Sequence, residues 1–250
     1  MARIQLSKAS VEFAIYNAHA RSLRSDLLRR VGGRVNSGYS DRVTVQALRN
    51  IDLTLGAGDR VAIVGRNGAG KSTLLRVMAG AYEPSAGTAV IDGKVSSLLD
   101  MTMGMDFELT GRQNIVLRGV FLGMTFAGAN ALVPEIAEFS ELGSFIDLPM
   151  RTYSSGMVLR LAFGVSTAIQ PEIILLDEMI AVGDANFAQR AQERLDKFLS
   201  NASILVLASH RDEILLRYCT RAIRLQEGAI VADGPISEVL AEAEKDRAEH

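Results

Sequence analysis

The sequence has no tryptophan, and only one cysteine and five prolines in 250 residues. The lone cysteine, Cys219, excludes an internal disulfide and suits a reducing compartment. No cysteine-hydrolase context surrounds it, which argues against a nucleophile. No stretch reaches the roughly 18 uninterrupted apolar residues of a membrane span. The start, MARIQLSKASVEF, lacks the long apolar core of a secretory signal. Excess charge of either sign is also missing: 27 Lys and Arg face 29 Asp and Glu, a net charge of −2. That gives no support to bulk nucleic-acid binding. The chain reads as soluble, or as peripheral to a membrane through a partner.

What is present is ordinary for a globular protein: 48% hydrophobic and 22% charged residues. The length suits one large domain, or a core with a subdomain. Ile4–Tyr16 reads as a strand or two, and Val43–Leu55 as a strand pair. Between them, residues 22–42 carry Arg24, Arg29, Arg30, Arg34 and Arg42 against Asp26 and Asp41. Val61–Val64, Ile173–Leu176 and Ile204–Leu207 read as buried parallel strands. Ser72–Ala79 reads as a helix with Gly80 past its end. Residues 115–150 look helical. Arg221–Leu225 and Ala229–Ala232, split by Glu227-Gly228, read as a hairpin, and the tail from Ile236 as a polar helix. Strands alternating with helices predict an α/β core preceded by an antiparallel β layer.

GRNGAGKST follows the Val61–Val64 strand directly. Gly65, Gly70, Lys71 and Ser72 fit G-x-x-x-x-G-K-[ST]. Glycines let successive backbone N–H groups turn inward toward phosphate oxygens, and the helix start adds its positive end. Gly65, Asn67, Gly68, Gly70, Lys71, Ser72 and Thr73 are therefore the predicted triphosphate cradle. Lys71 is expected on the β/γ-phosphates and Ser72 on Mg²⁺. Ile173-Ile174-Leu175-Leu176 then delivers Asp177 and Glu178 to the end of a buried strand, where α/β sheets bind ligands. Asp177 would support the Mg²⁺. Glu178 would polarise an attacking water, or is simply an exposed helix-start residue. Tyr153-Ser154-Ser155-Gly156-Met157 precedes a helical pattern, and Ser–Ser–Gly there leaves amides free for a second anion site.

With these motifs the chain resembles an ATP-binding cassette (ABC) nucleotide-binding domain over essentially its whole length. The resemblance implies a P-loop α/β cassette: a RecA-like core at about 61–100 and 171–235, an antiparallel β region at 1–60, a helical subdomain at 101–170 and a helical tail from 236. YSSGM stands at the signature position, so Ser154, Ser155 and Gly156 would meet ATP held by a second copy. Ser209-His210 stands at the switch-histidine position, where His210 would hydrogen-bond the γ-phosphate. Tyr16, with Phe13 second, lies near the adenine-stacking position. Asp100 sits where many cassettes place a glutamine that touches Mg²⁺ and the membrane partner.

Asp100 in LLDM, FELTGRQNI (Phe107–Ile115), TYSSGM and AVGDANF (Ala181–Phe187) together resemble the ATPase subunits of bacterial exporters of lipid-linked polysaccharides. These carry O-antigens, capsules or teichoic acids. The resemblance implies the shorter type without a carbohydrate-binding domain, working as a homodimer with a polytopic permease at the cytoplasmic face of the inner membrane. It implies ATP and Mg²⁺ as cofactors, indirect contact with the glycan and no nucleic acid. A soluble ABC ATPase or an importer subunit is the rival reading.

Overall fold

A computed structural model describes residues 1–15, 34–37, 43–98, 101–177 and 185–248. The described chain divides into two units. One comprises Met1–Val95, Ile173–Met179 and Ser203–His250; the other comprises Ser96–Glu172 and Ile180–Ala202.

Alternating apolar residues build the first sheet of unit one. β1 (Arg3–Ile15) pairs antiparallel with β3 (Val43–Leu55) and β5 (Ala86–Asp92), and β2 (Arg34–Ser37) pairs with β3. The strand order is β2-β3-β1-β5. Ile4 and Leu6 of β1 face Leu55 and Leu53 of β3, and all four are buried. The register then shifts between Leu6 and Ala9, where Lys8 has φ 47°. A bulge there lets Leu6 and Ala9 both point inward although an odd number of residues apart. Val43–Leu55 is one strand and not the predicted pair, because its pairing with β1 continues on both sides of a second shift near Asn50 (φ 45°).

The second sheet has the order β10-β9-β4-β8-β7-β6. β4 (Arg60–Val64), β8 (Ile204–Ala208), β7 (Ile173–Asp177) and β9 (Arg221–Gln226) run parallel. β10 (Ala229–Pro235) returns antiparallel to β9, and β6 (Val95–Ser97) marks where the chain leaves the unit. Ile173–Leu176 and the whole of β8 are buried, as expected for strands covered on both faces. Each such side chain contributes roughly 1.5–3 kcal/mol relative to exposure. Helix α1 (Lys71–Met78) packs on β7 and β8 through Leu74, Leu75, Val77 and Met78.

Unit two holds α2 (Gly111–Phe121), α3 (Phe126–Ala131), α4 (Val133–Ser140), α5 (Ser155–Ala168) and α6 (Ala185–Ser200). Its core gathers Ile115, Ile136, Leu142, Ile146, Met150, Leu161 and Val165. Helix α6 falls within the stretch predicted to join the sheet core, yet it groups with these helices. Its fully buried Phe187 meets Phe139 of α4 edge-on at 5.1 Å. In unit one, α7 (Asp212–Tyr218) and α8 (Ile236–Ala248) complete the chain. The predicted polar character of α8 is half right: it buries Ile236, Val239, Leu240 and Ala243 and packs on β9 and β10. Among the described residues no helix is long and apolar enough to cross a membrane.

Candidate functional site

Three parallel strands end at one level. Ile63 of β4 is in register with Ala208 of β8, which is in register with Asp177 of β7. The C-terminal ends of these strands therefore bring together the loop Gly65–Gly70, the Asp177 carboxylate and Ser209-His210. That rim is where open α/β sheets bind ligands.

The loop curls tightly: the Ala69 amide donates to the Arg66 carbonyl at 3.1 Å. Gly65, Gly68 and Gly70 have φ of 154°, 79° and 106°. At Gly70 conformation and space both forbid a side chain, because a Cβ would sit 2.7 Å from the Ala47 carbonyl oxygen. Gly70 is also the N-cap of α1, and no side chain caps that helix start. Among the described residues, the amides of Ser72 and Thr73 in its first turn are open to an anion or water. Lys71 is 9% exposed, and its ammonium donates to the carbonyls of Gly65 at 2.7 Å and Arg66 at 3.2 Å. The cation is thus held over the loop from which it springs, while Asn67 and Gly68 face solvent. Ser72, Thr73 and Asp177 are half-buried. Ser72 and Asp177 are hard oxygen donors of the kind Mg²⁺ takes. Ser209 is buried, and its hydroxyl accepts from the Arg211 amide at 3.1 Å, a turn that presents His210 at the surface.

Ser154, Ser155 and Gly156 belong to unit two, at the start of α5. The expectation of free amides there needs one correction. Ser154 is the N-cap, and its Oγ accepts from the Met157 amide at 3.3 Å. A serine at that position satisfies one of the open donors itself, so fewer amides are left for an anion. Ser155 is exposed. Just upstream, the Tyr153 hydroxyl donates to the Phe145 carbonyl at 2.7 Å, and partial burial pushes its pKa up.

The approach to α5 is braced by residues whose role the sequence reading did not assign. Thr110 and Gln113 form a capping box at the start of α2. That pattern, T-x-x-Q, was visible in FELTGRQNI. Asn114 is fully buried: its amide group donates to the carbonyls of Asp106, Leu109 and Thr110, and its oxygen accepts from the Asp106 amide at 2.8 Å. The loop so built meets the residues before α5 through Met150 N to Leu109 O and Arg151 N to Phe107 O, both 2.9 Å. Arg118, 1% exposed, ties Ser166 of α5 to the Met103 carbonyl.

Tyr16, Asp100 and Glu178 lie outside the described residues. Phe13, the second adenine candidate, is 39% exposed and meets Tyr82 edge-on at 5.5 Å.

A parallel sheet that delivers a glycine loop with its lysine, an acid and a histidine to one rim defines the P-loop class of α/β proteins. A family model described as ABC transporter matches residues 48–181, more than half of the chain, and the chain belongs to that family. It is 45% identical over 231 residues to the O-antigen export system ATP-binding protein RfbE of Yersinia enterocolitica, covering 92% of this chain and 97% of that protein. It is 43% identical to the O-antigen export system ATP-binding protein RfbB of Myxococcus xanthus over 88% of this chain, and spans 50% of that longer protein. Among solved structures it resembles a dimeric ATP-binding cassette in a post-hydrolysis state bound to ADP and Pi. There the TM-score is 0.66 at 20% identity, over 93% of this chain and 98% of the other. The expected α/β cassette fold is the observed one.

Proposed function

We propose that this chain is the ATP-hydrolysing subunit of an exporter that moves a lipid-linked polysaccharide, O-antigen-like in kind, across the cytoplasmic membrane. The observation that carries this reading is the 45% identity to an O-antigen export ATP-binding protein along 97% of its length. The uncapped start of α1 supports the nucleotide part of it.

In this reading the amides of Gly68 and of Gly70–Thr73 receive phosphate oxygens, and Lys71 exchanges the Gly65 and Arg66 carbonyls for the β- and γ-phosphates. Ser72 and Asp177 would hold Mg²⁺, which would supply Lewis-acid neutralisation of the phosphate charge. Glu178 would polarise the attacking water, which bonds to the γ-phosphorus as its bond to the ADP oxygen breaks, releasing ADP and phosphate, and His210 would hydrogen-bond the γ-phosphate oxygens. Catalysis is positioning plus charge stabilisation. Ser154, Ser155 and Gly156 of a second copy close over the nucleotide. ATP then acts as a ligand that favours the closed pair. Closure drives a polytopic permease, and the chain works as a peripheral protein on the cytoplasmic face.

The test is a tagged Glu178→Gln chain, loaded with ATP and Mg²⁺ in solubilised membranes. Expected are a stable closed pair, loss of hydrolysis, and co-purification of a polytopic membrane protein with a polyprenyl-linked glycan. Brisk hydrolysis would remove Glu178 from its role. Ribosomes or DNA as the co-purifying material would overturn the export reading.

A further inference from the structure

The turn between β9 and β10 lies behind the loop Gly65–Gly70. Glu227 and Gly228 both have positive φ, 47° and 77°, the pattern of a type I′ hairpin turn. Such a turn needs nothing beyond its own two strands, yet this one bonds elsewhere. The Gly228 amide donates to the Ala69 carbonyl at 3.0 Å, inside the glycine loop. The Gly228 carbonyl accepts from the Arg49 amide of β3 at 2.7 Å. The Arg49 side chain adds a second tie, Nε to the Glu227 carbonyl at 3.0 Å.

The packing is as close as the bonding. A Cβ at Gly228 would lie 2.6 Å from the Ala47 carbonyl oxygen and 3.2 Å from the Leu48 Cα. A Cβ at Gly65 would lie 2.4 Å from the Leu225 carbonyl oxygen. Both ends of the loop therefore rest on backbone: Gly65 on β9, and Ala69-Gly70 on the Gly228 turn and β3. Backbone neighbours cannot swing aside as a side chain can.

We infer that the Glu227-Gly228 turn, clasped by Arg49, is a positioning element for the phosphate loop and sets its affinity for nucleotide. This rests on the reading that Gly65–Thr73 binds ATP. The physical reason is aim. Amides gain most from a phosphate when they point at it before it arrives. The shape of the loop at Ala69 decides the direction of the amides on either side. An alanine at position 228 must back away from Ala47, and the turn withdraws its amide from Ala69. Arg49 limits that withdrawal from the side.

The test measures ATP·Mg²⁺ binding to the full chain by titration calorimetry, beside thermal unfolding without nucleotide. Gly228→Ala is compared with Gly58→Ala, where φ is 95° and a Cβ would meet nothing within 4 Å. The control carries the conformational strain without the clash. Expected is about a tenfold or greater rise in Kd for Gly228→Ala over Gly58→Ala. Arg49→Met removes the side-chain donor with no backbone strain. It should raise Kd about fivefold with at most a small drop in the unfolding midpoint, and Arg49→Lys should recover most of this. ATP binding equal to the unmodified chain in either Gly228→Ala or Arg49→Met would overturn the inference. If Gly228→Ala does not fold, the Arg49 pair decides. Failure of the unmodified chain to bind ATP would overturn the nucleotide reading and the inference with it.

Discussion

The Arg160 guanidinium lies 4.6 Å from the centroid of the Phe187 ring, and that of Arg190 lies 5.7 Å from it. Both arginines pair with Glu141, at 3.5 Å and 2.5 Å. Phe187 thus joins α6 to α5 and to the end of α4. Phe187→Ala should cost about 3–5 kcal/mol of stability, from lost burial and the cavity left behind. Urea unfolding followed by hydrogen exchange in α4–α6 is the check. A loss under about 1 kcal/mol would mean the site collapses around the deletion.

Asn114 is the hub of the turn before α2, with three donated bonds and one accepted. Asn114→Ala leaves the Asp106 amide and three carbonyls to find new partners. The expected cost is about 2–4 kcal/mol, since buried polar groups without partners lose roughly 1–3 kcal/mol each and some recover water. Asn114→Asp keeps the acceptor alone and should do little better, because the donated bonds dominate. Denaturant midpoints of the three chains decide it; equal midpoints would remove the hub from the stability of this turn.

Cys219 is 5% exposed, and burial raises its thiol from 9.0 to about 12, with Arg60 opposing the shift. Below pH 9.0 the thiol is protonated in both states and costs nothing. As pH rises toward about 12, the unfolded chain sheds the proton and the folded chain keeps it. Stability therefore falls in that window, with a slope approaching ~1.4 kcal/mol per pH unit from this group. Cys219→Ala should flatten the alkaline limb measured by urea unfolding between about pH 9 and pH 11. Parallel curves for the two chains would show that the thiol does not contribute.

The features legible in the sequence are those set by local physics. Val61–Val64, Ile173–Leu176 and Ile204–Leu207 are short apolar runs, and each is a buried parallel strand. Gly228 between two apolar runs announced the hairpin, although Glu227 is not of a type that favours the positive φ it adopts. The glycine spacing announced the loop and the helix after it. Missed features depend on partners distant in the chain. The bulge at Asn50 arises from pairing with β1, and nothing in residues 43–55 alone marks it. Helix α6 has an apolar face, but only Phe139 and Arg160 reveal which neighbours that face meets. Nothing in the sequence marked Asn114 as buried, and its burial comes from the loop it holds. Ser154 was read only as part of an anion site; in the structure its Oγ is engaged as the cap of α5.

The seclusion of Cys219 makes the folded chain a convenient object for optical rulers. The turn Gly56–Asp59 leads into β4 at the end away from Gly65, and Ala57 in it is exposed. Because Cys219 is the sequence's one cysteine and keeps its proton, Ala57→Cys would offer a dye a single reactive thiol per chain. Donor and acceptor dyes on separate copies would report by energy transfer whether two copies approach each other at all, with every native residue other than Ala57 left in place.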